Sequence, residues 1–314
     1  MEKRILTLDV GTTNSRIRSW VGNVLEEEIK IPIGIKSDKE ILTSKIQENI
    51  NILKNKKSEI EGIIASGMIT SNLGLCHIDH LTLPVTLNKL AENIEKKEIC
   101  GIPTYYITGI KTTQKLDELN LNDVIRGEEV EVFGILKKLQ IKEECIIILP
   151  GSHNKFILVN RNHEILDFST TISGELLEII TKNSILKNSL DASFCDELNY
   201  KFLQKGYFFS KEKGFGKALF SLRSLDLFND LSLNEKSSYL LGIIIQQDIE
   251  SLVLNKFLTK ERTVIIGGAG NFVKAMDYLL KENIPDVKVK IINDNKLSSI
   301  GALEIAKVSS LINL

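Results

Sequence analysis

The pattern of apolar and polar residues at the start of the chain predicts three strands joined by two tight turns. Residues 4–8 form a nearly continuous apolar run, typical of a buried strand, and small polar residues at 11–14 follow it as a turn. Residues 16–21 alternate between apolar and polar as a second strand does. A Gly-Asn pair then marks a hairpin turn before a third strand over 24–31.

A helix is predicted directly after these strands. Ser37 and Glu40 have the spacing of a capping box, which marks the start of a helix. Its apolar face is formed by Leu42, Ile46, Ile50 and Leu53. A short apolar strand over 62–65 follows, and it leads into a loop of small and polar residues at 66–75. Strands that alternate with helices favour an α/β fold.

The chain is predicted to divide near residue 142. A strand over 105–108 and a helix from Ile125 to about residue 138 end the first half. The charged stretch KKLQIKEE then separates 1–142 from 143–314. The stretch is not a linker rich in Gly, Ser or Pro, so we expect the two halves to pack together.

The order of elements at the start of the chain recurs in the second half, where Gly151 takes the place of Gly11 and Asn154 that of Asn14. The segment CIIILPGSHNKFILVNRNHEILDF again gives strand, polar turn, strand, turn and strand, and a helix follows. Few residues are identical, but the order of elements is the same. We therefore predict two copies of one ancestral unit.

The C-terminal part alternates between helix and strand. The predicted elements are a helix over 232–252 that starts in a second capping box, a strand over 263–266, a helix over 271–282, a strand over 287–292 and a helix over 297–308. This alternation also favours an α/β fold with a largely buried sheet.

Composition and charge exclude several classes of protein. The 314 residues suggest two domains at roughly 150 residues per domain. The 40 basic and 41 acidic residues nearly balance, which argues against a protein that coats nucleic acid or an anionic membrane. Asp9 interrupts the first apolar run, so a signal peptide is not predicted. The four cysteines form no CxxC pair and are interpreted as reduced thiols of a cytoplasmic protein.

The first polar turn contains residue types that suit a site for metal and phosphate. Gly11 allows the backbone to approach phosphate oxygens, and the Thr12 and Thr13 hydroxyls can donate to them. Asp9, at the end of the preceding strand, can hold Mg²⁺, usually through water. The same residues would also form an ordinary hairpin in which Asn14 makes an Asx-type turn.

The second turn has the same type of backbone and different side chains. Gly151 and Ser152 match the first turn, but Leu149 stands where the first copy has Asp9. Only the first copy therefore has a carboxylate that can organise a metal. His153 is an additional candidate for proton transfer, although it can equally cap the turn.

Glycines after the late strand suit a nucleotide. Gly267, Gly268 and Gly270 end a buried strand and open a helix, an arrangement that can lie against a bound nucleotide. The spacing is neither that of a dinucleotide-binding fingerprint nor that of a P-loop.

A charged segment, Ile125 to Glu129, opens a predicted helix in the first half. Glutamates at a helix start suit the helix dipole, whereas Arg126 does not. Arginine binds carboxylates bidentately, so Arg126 favours an acidic ligand.

These motifs together resemble the sugar kinase/Hsp70/actin superfamily. The resemblance rests on the DVGTTN hairpin, the second Gly-Ser hairpin and the late strand–Gly-Gly–helix segment, in this order. Within that superfamily, the segments IRGEE, LPGSHNKF and DFSTTISGEL closely resemble the 2-dehydro-3-deoxygalactonokinase family, and SGMITSNLGL fits it as well. The resemblance implies an α/β fold of two ribonuclease-H-like (actin-like ATPase) domains, related by internal duplication, with an interdomain cleft.

The resemblance also implies an activity and the residues that carry it. The activity is ATP- and Mg²⁺-dependent phosphorylation of the 6-hydroxyl of 2-dehydro-3-deoxy-D-galactonate in galactonate catabolism. The residues implied for ATP phosphates and Mg²⁺ are Asp9, Gly11, Thr12, Thr13, Asn14, Gly151 and Ser152. Those implied for adenosine are Gly267, Gly268 and Gly270, and those expected to face the sugar acid are Ser71, Asn72, Arg126 and Glu128.

The general base stays open among three candidates, Asp9, Glu128 and His153. Many sugar kinases of this superfamily place an aspartate in the second hairpin, where this chain has Ser152 and His153. Glu128 is preferred because Asp9 is needed for the metal and because Glu128 opens the helix that leads to the predicted division near residue 142, where the interdomain hinge is expected.

Two alternatives remain at the level of sequence. One is a kinase for another 2-keto-3-deoxy acid or sugar, since residues alone do not separate epimers. The other is a non-catalytic, ATP-binding, actin-like protein. Partners are expected to be small molecules, with neither nucleic acid nor membrane, and both a monomer and a homo-oligomer are compatible with the sequence.

Overall fold

The chain folds into two units. The computed structural model describes residues 4–55, 59–113, 122–259 and 262–310. Unit 1 comprises Met1–Lys142, Asn162–Asp167 and Asn295–Leu314, and unit 2 comprises Glu143–Arg161 and Phe168–Asp294.

In chain order the strands are β1 (Arg4–Val10), β2 (Ser15–Val21), β3 (Val24–Ile31), β4 (Ile60–Gly67), β5 (Leu81–Thr82), β6 (Glu95–Ile99), β7 (Ile102–Tyr106), β8 (Ile110–Lys111), β9 (Val124–Ile125), β10 (Cys145–Leu149), β11 (Asn154–Val159), β12 (Ile165–Thr171), β13 (Thr263–Gly267) and β14 (Lys288–Ile292). The helices of the described residues are α1 (Lys39–Lys54), α2 (Leu87–Glu92), α3 (Glu128–Leu139), α4 (Ser173–Asn183), α5 (Tyr200–Lys213), α6 (Phe215–Phe228), α7 (Leu233–Leu254), α8 (Asn271–Asn283) and α9 (Leu297–Val308). A short 3₁₀ helix lies at Met68–Thr70. None of the helices in these ranges is long and apolar enough to span a bilayer.

The main sheet of unit 1 has the strand order β3-β2-β1-β4-β7-β6. β1 is antiparallel to β2 and parallel to β4, which is parallel to β7. Alternate residues of β1 point to opposite faces of the sheet. Leu6 and Leu8 belong to the core cluster that includes the apolar face of α1, whereas Thr7 donates its hydroxyl to Ser299 of α9 at 2.9 Å. The sheet is therefore covered on both faces, which explains why β1 is almost wholly buried.

The sheet of unit 2 repeats this order as β12-β11-β10-β13-β14. β10 is antiparallel to β11 and parallel to β13, which is parallel to β14. Each strand of this sheet corresponds in position to one of β3, β2, β1, β4 and β7. Both units thus contain the order that the sequence duplication predicts.

A pair of glycines shows the same repeat at the level of packing. Gly34 and Gly174 are separated in sequence by the same offset as the two turn glycines, Gly11 and Gly151. A Cβ on Gly34 would lie 2.6 Å from the carbonyl oxygen of Gly11, and one on Gly174 would collide with the carbonyl oxygen of Gly151. In both copies a residue without a side chain is required where the chain after the third strand contacts the polar turn.

Helix α9 packs with unit 1, although it ends the predicted C-terminal half. A Cβ on Gly134 of α3 would collide with the carbonyl of Leu297, and one on Gly301 of α9 would collide with the carbonyl of Val130. These two glycines allow the helix backbones to touch. The compact units thus differ from the ranges 1–142 and 143–314, because 162–167 and 295–310 pack with unit 1.

Several local predictions hold and others need correction. The capping box of Ser232 and Glu235 is present at the start of α7. Helix α1 is capped by Asp38 rather than Ser37, because the Asp38 carboxylate accepts from the amides of Glu40 and Ile41. The strand predicted over 105–108 is β7, which ends at Tyr106.

Candidate functional site

The candidate site of unit 1 lies at the carboxyl ends of its central parallel strands, the edge where open α/β sheets bind ligands. A Cβ on Gly67, at the end of β4, would lie 3.1 Å from Oδ1 of Asp9, at the end of β1. A Cβ on Gly127, which caps α3, would lie 3.2 Å from the Cα of Gly67. Gly67 and Gly127 both have positive φ, 81° and 113°, which glycine adopts without strain. The two strand ends and the helix start therefore converge beside the Asp9 carboxylate.

The backbone of the first polar turn is fixed by hydrogen bonds, whereas most of its side chains are exposed to solvent. The Gly11 amide donates to the Asn14 carbonyl at 2.8 Å, which closes the turn. The Gly11 and Thr12 carbonyls accept from the amides of Ile35 and Lys36 at 3.0 and 3.1 Å. Thr12, Thr13 and Asn14 are exposed, so their hydroxyl and amide groups are accessible to a ligand.

Carboxylates accumulate around Asp9. Burial is the largest effect on the pKa of Asp9 and raises it. The charge of Arg16 and a 3.3 Å hydrogen bond from Ser298 lower this pKa, whereas the charge of Glu128 raises it further. Burial also raises the pKa of Glu131 to about 7, with additional effects of Asp9 and Glu128. Each of these groups disfavours the negative charge of the others, so a cation would be stabilising here.

A magnesium ion fits this set with only part of its ligands supplied by the chain. Within the described ranges the structure contains no group of three His, Cys, Asp or Glu side chains placed to hold a metal. Mg²⁺ is commonly held by one or two carboxylates, phosphate oxygens and water. Asp9 suits such a site as a carboxylate ligand, with phosphate oxygens and water as the other ligands.

Arg126 lies between β9 and α3 and binds the loop that follows β4. Its Nη1 donates to the carbonyl and the hydroxyl of Thr70, both at 2.6 Å. Its Nη2 donates to the Ile78 carbonyl at 3.0 Å and contacts the His80 ring at 3.0 Å. Burial and the nearby Arg126 lower the pKa of His80 to about 4, so the imidazole is neutral at pH 7. All of these partners are uncharged.

The acid next to this arginine does not neutralise it. Glu129 is fully buried and accepts from the Gly127 amide at 2.7 and 2.9 Å. Burial raises its pKa to about 8, and Glu128 adds to that effect, so Glu129 is mostly protonated at pH 7. In the described part of the chain the hydrogen bonds of the Arg126 guanidinium go to Thr70, Ile78 and His80. The Glu129 and Asp79 carboxyls raise the pKa of Arg126 through space, against the larger effect of burial. A half-buried guanidinium with neutral partners favours an anionic ligand.

The other residues predicted to face the substrate differ in burial and in whether their polar groups are already hydrogen-bonded. Ser71 is buried, and its hydroxyl donates to the Met68 carbonyl at 2.8 Å, so it serves the turn itself. Asn72 is exposed on the same loop. Glu128 is half-buried and accepts from the Arg126 amide at 3.0 Å.

The second polar turn lies at the corresponding strand end in unit 2. Gly151 and Ser152 are exposed, and the Ser152 carbonyl accepts from the Glu175 amide at 2.8 Å. His153 Nε2 lies 2.7 Å from Oε2 of Glu175, and both side chains are about half exposed. His153 therefore has a carboxylate partner that can orient its ring.

The glycine segment that follows β13 lies at the same edge as the second turn, because β10 and β13 are parallel neighbours. Gly267 ends the strand, and Gly268 and Gly270 have φ of 103° and 92°. The Gly268 amide donates to the carbonyl of Ile292 at 2.9 Å. Residues 268–270 are exposed ahead of helix α8, so unit 2 places its turn and its glycines together.

Two acidic residues in these surroundings were not selected from the sequence. Glu131 could not be singled out from the sequence, because three glutamates lie in the first turn of α3 and the helix dipole explains all of them equally well. Asp248 lies in the apolar stretch LLGIIIQQDIESLVL. A lone acid among residues with the periodicity of a buried helix is a signal that could have identified it.

Comparisons with known proteins identify relatives of the whole chain. A family model described as 2-keto-3-deoxy-galactonokinase matches residues 9–305. A crystal structure of a candidate 2-dehydro-3-deoxygalactonokinase from Sinorhizobium meliloti is 18% identical, covers 96% of this chain and 98% of its own, and has a TM-score of 0.83. Curated proteins gave no match.

More distant structures share the fold. The activator of 2-hydroxyisocaproyl-CoA dehydratase from Clostridium difficile, with bound ADPNP, is 12% identical with a TM-score of 0.52, over 98% of this chain and 96% of its own. A candidate N-acetylglucosamine kinase from Porphyromonas gingivalis is 14% identical with a TM-score of 0.50, and the match covers 96% of this chain and 98% of its own. Together with the repeated strand order, these likenesses confirm the predicted α/β fold of two ribonuclease-H-like units.

Proposed function

Because the chain belongs to the 2-keto-3-deoxy-galactonokinase family of ATP-dependent carbohydrate kinases, we propose that it phosphorylates the 6-hydroxyl of 2-dehydro-3-deoxy-D-galactonate. The γ-phosphoryl group of ATP would pass to that hydroxyl oxygen, the hydroxyl proton would leave, and ADP and the 6-phosphate would be released. The reaction would be a step in galactonate catabolism.

The observation that carries this substrate is the charge state around Arg126. The substrate is a sugar acid, and its carboxylate needs a positive group that is not already neutralised. Arg126 is half-buried, has neutral hydrogen-bond partners and stands beside a protonated Glu129. We therefore assign Arg126 to the substrate carboxylate, with the exposed Asn72 on the loop that it holds. Ser71 of the same loop would contact the substrate without donating to it, because its hydroxyl donates to the Met68 carbonyl.

The polar turns and the glycine segment are assigned to ATP. Phosphoryl transfer depends mostly on positioning and on stabilising charge. The exposed residues Thr12, Thr13, Asn14 and Ser152 would donate to phosphate oxygens. The amides of Gly11 and Gly151 close their own turns, and these two glycines would instead let the backbone approach the phosphates. Gly267, Gly268 and Gly270 would lie against adenosine. Asp9 would hold Mg²⁺, which neutralises charge on the phosphates when it is bound.

The general base is assigned to Glu128, ahead of His153. Glu128 lies two residues after Arg126 and is close enough to Asp9 to raise the pKa of Asp9, so it belongs to the same cluster. His153 remains a candidate because Glu175 orients its ring.

Two matched substitutions separate these bases. Glu128→Gln is expected to lower kcat/KM by about 10²–10⁴-fold, the usual contribution of a general base, whereas His153→Asn is expected to change it only a few-fold. Glu92→Gln, at an exposed acid that ends α2, serves as the control for loss of one carboxylate. Steady-state rates with both substrates varied give the comparison. If neither variant loses more than about tenfold, both base assignments are wrong.

The substrate itself is tested by ADP release across a panel of 2-keto-3-deoxy acids and neutral sugars. We expect the highest kcat/KM for 2-dehydro-3-deoxy-D-galactonate and little turnover of neutral sugars, because these leave Arg126 without a carboxylate. A higher value for an epimeric keto-deoxy acid would overturn the named substrate and leave the role of Arg126 intact. A preference for a neutral sugar would overturn both.

A further inference from the structure

Helix α7 carries a carboxylate that is fully buried beside the second polar turn. Asp248 accepts hydrogen bonds from Asn154 Nδ2 at 2.8 Å, from Thr171 Oγ1 at 2.7 Å and from Ser173 Oγ at 2.5 Å. Burial raises the pKa of Asp248 to about 6, and the three hydrogen bonds oppose that rise, so the group is mostly ionised at pH 7. A buried charge is costly unless it is paired or fully hydrogen-bonded, and here three donors surround it.

One of these donors connects the carboxylate to the turn. Asn154 is fully buried, and its Oδ1 accepts from the Gly151 amide at 3.0 Å while its Nδ2 donates to Asp248. The bonds therefore run in one direction, from the turn amide through the asparagine to the acid. An amide side chain fixed in this way has only one orientation that satisfies both neighbours.

The first turn is closed differently. There the Gly11 amide donates to the main-chain carbonyl of Asn14, and the Asn14 side chain is exposed and contacts Thr13. In the second turn a side chain replaces that main-chain bond. The shape of the second turn thus depends on a residue far away in the sequence.

The same carboxylate also holds the segment that packs on the turn. Thr171 ends β12, and Ser173 begins α4 one residue before Gly174, which contacts the Gly151 carbonyl. Asp248 therefore fixes both the turn and the helix start that lies against it.

We propose that Asp248 is the positioning residue of the second phosphate turn, acting through the Asn154 amide to set the turn for ATP. The proposal rests on the assignment of Gly151 and Ser152 to ATP phosphates given above.

Exchanging the two polar groups tests the proposal. Asn154→Asp places two carboxylates against each other, and we expect ATP affinity to fall by about tenfold or more, because a buried bond to a charged group is lost and like charges repel. Adding Asp248→Asn restores one amide and one carboxylate in reversed order. The double variant is expected to bind ATP within about threefold of wild type, as coupled groups in one network are non-additive.

Calorimetric titration with ATP and Mg²⁺ provides the affinity, and circular dichroism verifies folding. Ser210→Ala is the matched control. It removes the 2.8 Å hydrogen bond from Ser210 of α5 to Gln246 of α7, the helix that carries Asp248, and it leaves the contacts of the turn unchanged. It should lower thermal stability and leave ATP affinity unchanged. A folded double variant with no recovery of affinity, or wild-type affinity in Asn154→Asp, would overturn the proposal. If Asn154→Asp does not fold, recovery of folding and affinity in the double variant still supports it.

Turnover of the sugar acid is measured separately on the same proteins. A wild-type protein that binds ATP but phosphorylates none of the keto-deoxy acids would refute the proposed function. The role of Asp248 would then still be decided by the ATP affinities of the four proteins.

Discussion

Asp9→Asn is expected to abolish most phosphoryl transfer while leaving the affinity for the sugar acid nearly unchanged. The substitution keeps the size of the side chain and removes the negative charge at the end of β1. A metal that stabilises phosphate charge contributes several kcal/mol, so kcat should fall by about 10²–10³-fold. The sugar acid is assigned to Arg126 and its loop, which the substitution does not touch. Steady-state kinetics, together with calorimetric titration of the sugar acid alone, measure the two effects.

Ser298→Ala provides the matched control for this experiment. It removes the 3.3 Å hydrogen bond to the Asp9 carboxylate and keeps the charge. We expect only a few-fold loss of kcat, since one weak hydrogen bond of this kind contributes about 1 kcal/mol. Unchanged turnover in Asp9→Asn would refute the metal role, and equal losses in both variants would indicate that Asp9 acts through packing rather than charge.

The features that could be predicted from the sequence are those encoded over short distances. The glycines and hydroxyl residues of each turn, the strand-turn-strand pattern around them and the capping box at Ser232 all lie within a few neighbouring positions. The matching order of elements around the two turns indicated a repeat even though few residues are shared. The structure shows that Gly34 and Gly174 are a further pair of equivalent residues in this repeat. Local chemistry and one internal comparison were enough to predict a duplicated α/β chain, and the family resemblance added the expectation of two ribonuclease-H-like domains.

The features that could not be predicted depend on contacts between distant segments. The contact between α3 and α9 at Gly134 and Gly301 joins segments far apart in the sequence, and the final helix was predicted in the second half. Likewise, the partners of Arg126 lie in a loop far upstream of it in the sequence. In the sequence Asp248 is only an acidic residue within an apolar helix, and its hydrogen bond to Asn154 is visible only in the structure.

This difference matters for the site because the two polar turns look alike in sequence and are built differently. The first turn is closed by its own main chain and needs Gly34 behind it. The second needs a buried acid on α7 in addition to Gly174. A duplicated motif can therefore keep its backbone shape while its support changes, and only the copy with Asp9 retains a carboxylate at the strand end.

Arg126→Ala is expected to raise KM for the sugar acid by about 10–10²-fold, the range for loss of a charge-assisted hydrogen bond to a carboxylate, with little change in KM for ATP. The same substitution removes the bonds to Thr70 and Ile78, so thermal stability should fall as well. Kinetics with each substrate varied in turn, and a thermal melt, separate the two losses.

Arg126→Lys distinguishes charge from loop support. Lysine keeps the positive charge but cannot reproduce the planar fork that contacts Thr70, Ile78 and His80, so it should share the stability loss of alanine. If the substrate carboxylate needs the charge, the lysine variant will recover part of the KM for the sugar acid that alanine loses. If KM is unchanged in Arg126→Ala and only stability falls, Arg126 holds the loop alone, and the carboxylate is bound elsewhere. The lysine variant keeps the charge and loses the loop contacts, whereas the alanine variant loses both, so the difference in KM between the two variants measures the effect of the charge alone.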